Sequence, residues 1–354
     1  MESRMSRLIR LCNGKSMPLV GLGTWQMTNP QQDQLALEQA LNVGYRHVDT
    51  AYKYENEELV GNAMKKWVDA GKGKREDLFV VTKLPWIGMQ ADKVDHFINL
   101  SLSKLQTEYI DLYLVHWPFG MNYRGDDNVA PKKDNGDLDL DLTTDLLAVW
   151  KAMERQVDAG KAKAIGISNF NSQQIERVMK IARVQPANLQ VNDVKCNYYN
   201  LNGDAILHFL ILKMYSLLWQ VELHTYFQQT ELRQTCKKYG ITVTAYGPLG
   251  SPGRGNAKER YIPALMEDKL VVSLASKYNK TPSQVLLRYL TQLDITVIPK
   301  SSNLTRMSQN LNIFDFELTP DELDEMTKLD KGEDGRSFRE FPSAKIHPEY
   351  PFPY

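Results

Sequence analysis

The sequence predicts an α/β fold of the (β/α)8 class, a TIM barrel with an N-terminal β-hairpin and long loops at the C-terminal face of its strands. Three observations predict it. Short runs rich in Val, Ile, Tyr and Thr recur eight times along the 354 residues, stretches of helical period fill the gaps, and polar residues collect where the runs end. Alternation of this kind closes into a cylinder whose site lies at the carboxyl ends of its strands. A doubly wound sheet is the rival. Its first turn usually reads GxGxxG, and VGLGTWQM has GxG without the third glycine.

The elements follow in chain order. Asn13-Gly14 lies between apolar flanks in RLIRLCNGKSMPLVG, a hairpin signal. The strand runs are VGLGTW (20–25), YRHVDTA (45–51), LFVVTKL (78–84), IDLYLVHW (110–117), AKAIGISNF (162–170), ANLQV (187–191), ITVTAYGPL (241–249) and ITVIPKS (295–301). Between the first two, QQDQLALEQALNVG places Leu35, Leu37 and Leu41 near one helix face and stops at Gly44. TTDLLAVWKAMERQVDAGKAK starts at a Thr-Thr-Asp cap and stops at Gly160. TPDELDEMTKLD (319–330) opens with a Thr cap, Pro at the first helical position and Glu three residues after the cap. The length suits one barrel domain spanning 1–354.

Composition removes several classes. Forty-three Lys plus Arg balance 43 Asp plus Glu, so the chain lacks the cationic excess that holds nucleic acid. With 42% hydrophobic and 24% charged residues it is an ordinary globular sequence. Cys12, Cys196 and Cys236 have no CxxC spacing, which supports neither a disulfide framework nor a zinc ribbon and fits a reducing cytoplasm. MESRMSRLIR lacks the apolar core of a secretory signal. The longest apolar run, AILHFLILKMYSLLWQV (205–221), holds His208 and Lys213 and falls short of the roughly 20 residues that span a bilayer. No membrane and no nucleic-acid partner is expected.

The chemical signal sits at the strand ends. Asp49 closes the second strand and Tyr54 follows it in DTAYKYENE; Lys83 ends the third, His116 the fourth, Ser168-Asn169 the fifth, Tyr246 the seventh and Lys300 the eighth. Each alone has a bland explanation: a Tyr after a strand packs, a strand-end Lys snorkels, a lone His beside Trp117 sits hydrogen-bonded in a core. Together they would meet in one mouth. Proton donation to a carbonyl fits them. A phenol with a pKa of about 10 donates poorly at neutral pH unless a cation stabilises its phenolate. Lys83 can supply that charge, Asp49 can hold Lys83, and His116 can bond a substrate oxygen. GISNF is not GxSxG, so acyl transfer is unsupported, and no HExxH or paired ligand cluster argues for a metal.

GYRHVDTAYKYENE, VVTKLPW, LVHWP, GISNF, TAYGPLGSPGR and IPKSSNLTR together resemble the signature runs of the aldo-keto reductase family, nearest to its aldose and aldehyde reductase branch. The resemblance runs from about residue 7 to 353, apart from one inserted segment. It implies NADPH-dependent reduction of small-molecule aldehydes and ketones by a monomer. Tyr54 would be the proton donor, Asp49 and Lys83 its tuning pair, and His116 the group that orients the carbonyl. Gly23, Thr24 and Trp25 would lie against the cofactor; Ser168, Asn169 and Gln190 would hold the nicotinamide amide, with Tyr246 stacked on the ring. Gly247, Leu249 and Ser251 would cover the pyrophosphate. Lys300, Ser301, Asn303, Arg306, Gln309 and Asn310 match the family's site for the adenosine 2′-phosphate. Trp25, Trp86, His116, Trp117 and the C-terminal FREFPSAKIHPEYPF would bound the substrate, and the loop at 119–141 would shape the entrance, its acidic stretch a solvated surface. A non-catalytic cofactor-binding or structural protein on the same scaffold is the alternative. An isomerase or aldolase would need a metal cluster or a Schiff-base lysine, and the Asp and Tyr neighbours of Lys83 suit reduction better.

One segment breaks the rhythm. Gln-Val occurs at 190–191 and again at 220–221, and removing 191–220 restores an unbroken PANLQVELHTYFQQTELR. Every Val codon begins GT, the Gln codon CAG ends AG, and the segment is rich in residues of AT-rich codons. It reads as a retained intron or a gene-model error. Either glutamine could take the sixth-strand position, and the familiar PANL before it favours Gln190. That register would set apolar Ile206, Leu207, Phe209, Leu210 and Ile211 near the mouth; the other would send the excursion to the bottom.

Overall fold

The computed structural model describes residues 7–11, 15–183, 217–252, 264–338 and 341–352. Strands β1 (Leu8–Arg10) and β2 (Ser16–Pro18) form the expected antiparallel hairpin, with Leu8 opposite Pro18 and Arg10 opposite Ser16. Its apolar side chains plug the bottom of the barrel. Leu11 and Met17 are buried against Phe79, Val81, Leu112 and Leu114, which lie on the inner faces of two barrel strands.

The barrel begins with β3 (Leu22–Gly23), β4 (His47–Asp49), β5 (Phe79–Leu84) and β6 (Leu112–Val115). A short antiparallel pair, β7 (Gly120–Met121) and β8 (Leu140–Asp141), stands outside it. The barrel continues with β9 (Ile165–Ser168), β10 (Leu217–Glu222), β11 (Thr242–Tyr246) and β12 (Thr296–Val297). All eight are parallel and ordered as in the sequence. Parallel bridges from Val20 to Val297 and from Gly23 to Lys300 join first strand to last. Gly21 and Val297 each donate a 2.8 Å backbone hydrogen bond across that seam. A Cβ at Gly23 would lie 2.6 Å from the Ile298 carbonyl oxygen, so only glycine lets the seam close. Closure leaves the eight-stranded sheet without an open edge to template aggregation.

Helices follow the strands as the caps predict. Asn29 caps α1 (Pro30–Val43), which ends on Gly44 at φ 116°. Ala36, Leu37, Ala40 and Leu41 face inward, whereas Leu35, expected with them, is 55% exposed. At about 100° per residue, 35 and 37 lie on nearly opposite sides. Next come α2 (Glu57–Asp69), α3 (Val94–Leu105) and α4 (Leu146–Asp158). The Asp145 carboxylate accepts from Leu147 N and Ala148 N to cap α4. Then follow α5 (Ser172–Ile181), α6 (Thr230–Lys238), α7 (Lys269–Tyr278), α8 (Pro282–Gln292), α9 (Leu304–Leu311) and α10 (Pro320–Thr327). Thr319 and Glu322 form the capping box read from TPDE. No helix among the described residues is long and apolar enough to cross a membrane.

Two further expectations need correction. The acidic stretch of the 119–141 loop is not simply solvated. Asp139 is buried and accepts from Asn122 and Arg124, while Asp141 accepts from Gln90 and Thr143. These carboxylates tie the loop to itself and to the barrel rim.

The second correction concerns the sixth strand. ANLQV and Gln190 lie outside the described residues, and the place between β9 and β11 is filled by β10, with Gln220 opposite Ser168 and Thr244. Chain direction puts the start of β10 at the bottom of the barrel, away from the strand ends that carry the site.

Candidate active site

The site is built at the top of β4, β5 and β6. After β4 the chain makes a single 3-10 turn over Tyr52–Tyr54, closed by Tyr54 N donating to Ala51 O at 2.9 Å and ended by Glu55 at φ 57°. Asn56 fastens this turn. Its amide donates to the carbonyls of Thr24 (2.8 Å) and Met27 (3.2 Å), and its oxygen accepts from Thr50 Oγ1 at 2.7 Å. Tyr54 thereby faces the mouth, half-buried.

Beneath it Lys83 is fully buried. An ammonium has three protons to satisfy, and all three find oxygens: Asp49 Oδ1 at 2.7 Å, the Thr50 carbonyl at 2.8 Å and Tyr54 Oη at 3.4 Å. The other oxygen of Asp49 accepts from Gln220 Nε2 at 2.7 Å. Burial pulls the Lys83 ammonium below its ordinary range, and the Asp49 carboxylate opposes that pull. A buried ion pair seldom stabilises a fold more than apolar packing would, and losing one partner costs about 3–5 kcal/mol. Its presence here argues for use in chemistry.

His116 follows β6 with its ring edge-on to Tyr54, centroids 5.6 Å apart, and nearly parallel to Trp86 at 6.4 Å. Burial holds its pKa well below 6.5, helped by the positive charges of Lys83 and Lys53. The imidazole is therefore neutral, with one N–H to give. At the end of β9, Asn169 adopts φ 62°, donating to the His116 carbonyl at 2.9 Å and accepting from Tyr246 Oη at 2.8 Å.

These groups open into a cavity of about 1160 Å3. Asp49, Tyr54, His116, Ser168, Asn169, Gln220, Tyr246, Trp25, Trp86 and Trp117 line one part of it. Gly23, Gly247, Leu249, Ser251, Lys300, Ser301, Asn303, Arg306 and Asn310 line the rest. Lys300 Nζ bonds Ser302 Oγ at 3.1 Å, and Asn303 caps α9 by accepting from Arg306 N at 2.9 Å. Two cationic side chains thus stand at a helix N-terminus, where an anion is favoured. Thr24 is buried behind the wall, bonding the Asp49 carbonyl at 3.0 Å, and Gln309 is not among the lining residues. From the 119–141 loop, Ala130, Lys132, Gly136 and Leu138 reach the cavity.

The C-terminal FREFPSAKIHPEYPF, expected to bound the substrate, brings Phe338 and Phe341 to the cavity, Phe341 standing 5.2 Å from Trp86 and 5.4 Å from Trp117. Several other lining or supporting residues escape sequence reasoning. Lys53 and Gln220 also line the cavity, and Asn56 holds the Tyr54 turn. Asn56 lies within the quoted DTAYKYENE, but nothing local marks it as a hub. Gln220 was visible only as the second of two Gln-Val pairs.

A tyrosine beside a buried lysine–aspartate pair and a neutral histidine, at the mouth of a (β/α)8 barrel, agree with the sequence comparison. The model described as the aldo/keto reductase family matches residues 19–203 and 212–331, and the chain belongs to that family. It is 41% identical to aldo-keto reductase family 1 member A1 of Gallus gallus and 38% identical to that of Homo sapiens, covering 97% of this chain and 97% of the relative in both cases. Among solved structures, the aldose reductase of Schistosoma japonicum superposes with a TM-score of 0.81 at 33% identity, covering 98% of each chain.

Proposed function

We propose that this chain is a cytoplasmic, monomeric NADPH-dependent reductase of aldehydes and ketones in which Tyr54 protonates the carbonyl oxygen. The observation that carries the reading is the buried Lys83 ammonium, which reaches Asp49, Thr50 O and Tyr54 Oη at once. As the phenol gives up its proton, the adjacent cation lowers the energy of the phenolate left behind. Asp49 holds Lys83 in place and favours its charged form. Neutral His116 donates its N–H to the carbonyl oxygen and orients it toward Tyr54. Trp25, Trp86 and Trp117 give the substrate apolar walls and exclude water.

The cavity residues suit a dinucleotide. The volume exceeds that of a drug-sized pocket, about 300–1,000 Å3. Gly247, at φ 61°, leaves a surface that a Cβ would fill to within 3.1 Å of Phe338 and Ser251. Ser168, Asn169 and Gln220, the last in place of Gln190, would hold the amide, and Tyr246 would stack on the ring. Gly23, Thr24, Trp25, Gly247, Leu249 and Ser251 would follow the cofactor, while Lys300, Ser301, Asn303, Arg306, Gln309 and Asn310 would hold the 2′-phosphate. When bound, NADPH supplies the hydride.

The test is NADPH oxidation with a simple aromatic aldehyde. Tyr54→Phe should lower turnover on the order of 10²–10⁴-fold while NADPH binding, read by fluorescence quenching, stays nearly intact. Retained turnover would remove Tyr54 from its role. A wild-type chain that binds NADPH but reduces nothing would favour a non-catalytic protein.

A further inference from the structure

We infer that Glu222 is a positioning residue that sets substrate selectivity by docking the C-terminal segment onto the barrel rim, an inference that rests on the reductase reading above. Glu222 ends β10 and is fully buried, yet it is absent from the cavity lining and from the Asp49, Tyr54, Lys83 and His116 set. Its two oxygens are spent on the C-terminal segment. Oε1 accepts from Ser337 N at 2.5 Å and Oε2 from Phe338 N at 3.0 Å. Successive backbone N–H groups outside any strand or α-helix need acceptors when they approach the core, and a carboxylate can take one on each oxygen. His224 Nε2 lies 3.3 Å from Oε1 and helps fix the carboxylate.

The consequence falls on Phe338. With its backbone clamped, its ring stands edge-on to Tyr246 at 5.2 Å and tilted against Trp25 at 5.6 Å, and all three line the cavity. The same segment is seated on the loop after β10. Lys331 N donates to the Tyr226 carbonyl at 3.0 Å, and Gly335 packs so closely that a Cβ there would come 1.8 Å from the same oxygen. The end of the sixth strand therefore decides where a substrate wall stands. A large aromatic aldehyde that reaches Phe338 depends on that wall; a small aliphatic one does not.

Glu222→Gln turns an amide N–H toward a backbone N–H and should loosen the segment without touching the reacting groups. The ratio of kcat/KM for a naphthaldehyde over propanal should fall about tenfold, through the KM of the larger substrate, as expected for lost hydrogen bonds that act only on binding. Propanal kcat should stay near the wild-type value. Amide exchange at Ser337 and Phe338 should speed about tenfold while β5 amides keep theirs. Gly335→Ala unseats the segment from the other side, leaves Glu222 intact and should shift the ratio the same way. An unchanged ratio in both variants, or an equal loss for both aldehydes, overturns the inference. Absence of any wild-type aldehyde turnover would instead sink the reductase reading, and unchanged exchange at Ser337 and Phe338 would sink the docking itself.

Discussion

In the proposed mechanism Lys83 must be both buried and charged, and those demands conflict. Burial lowers its pKa from 10.5, and Asp49 and Glu57 push it back. A cation is lost as pH rises through its pKa, so a lowered value brings that loss to lower pH. Carbonyl reduction should therefore decline on the alkaline side, with a midpoint below 10.5. His116 is shifted the same way with the opposite consequence. Its pKa lies well below 6.5, so the imidazole stays neutral through the near-neutral range and adds no acid limb there. A kcat profile of the wild type beside His116→Asn checks both signs; an acid limb near 6.5 that vanishes in the variant would contradict the second. The cationic end of the cavity gives a separate expectation. Lys300→Ala should weaken NADPH binding about tenfold and NADH much less, because a charge-assisted bond to phosphate is lost. Equal losses would remove Lys300 from the phosphate site.

At the scale of elements, what was legible depended on whether the information was local. Alternation and terminal turns mark β4, β5 and β6 and thereby bring Asp49, Lys83 and His116 to one rim. Caps are equally local. Asp145 accepts two amide protons at the start of α4, so Asp145→Ala should cost about 1 kcal/mol in a denaturant titration. β10 is different. Two apolar runs end in the same Gln-Val pair, and local pattern cannot choose between them. The choice is made by pairing with β9 and β11, which sets Gln220 on Asp49 from 171 residues away. Asn56 and Glu222 were illegible for the same reason: each acts through partners far along the chain.

At the scale of the molecule, we propose that 191–220 is a foreign insert whose last four residues, 217–220, occupy the sixth-strand place that 187–190 would otherwise fill. Trp219, within it, is fully buried in the barrel, and its indole Nε1 has no hydrogen-bond partner among the described residues. An unpaired buried donor costs about 1–3 kcal/mol. Removing 191–220 would place Leu189 and Gln190 ahead of Val221 and Glu222, substituting an apolar residue for that tryptophan. The shortened chain should fold, melt no lower than the full chain and oxidise NADPH at least as fast. Failure to fold would show that the segment belongs. In cells, transcript sequencing that finds only the longer message, in phase and abundant, would defeat the intron reading.

The seam between Val20 and Val297 has a consequence for biosynthesis. The first barrel strand leaves the ribosome early but meets its last neighbour only after nearly 300 residues have been translated. Until then a nascent cylinder stands open, with unsatisfied backbone on both sides of the gap and the cavity at its mouth incomplete. A message broken before that point yields a sticky half-shell, a substrate for chaperones and proteases.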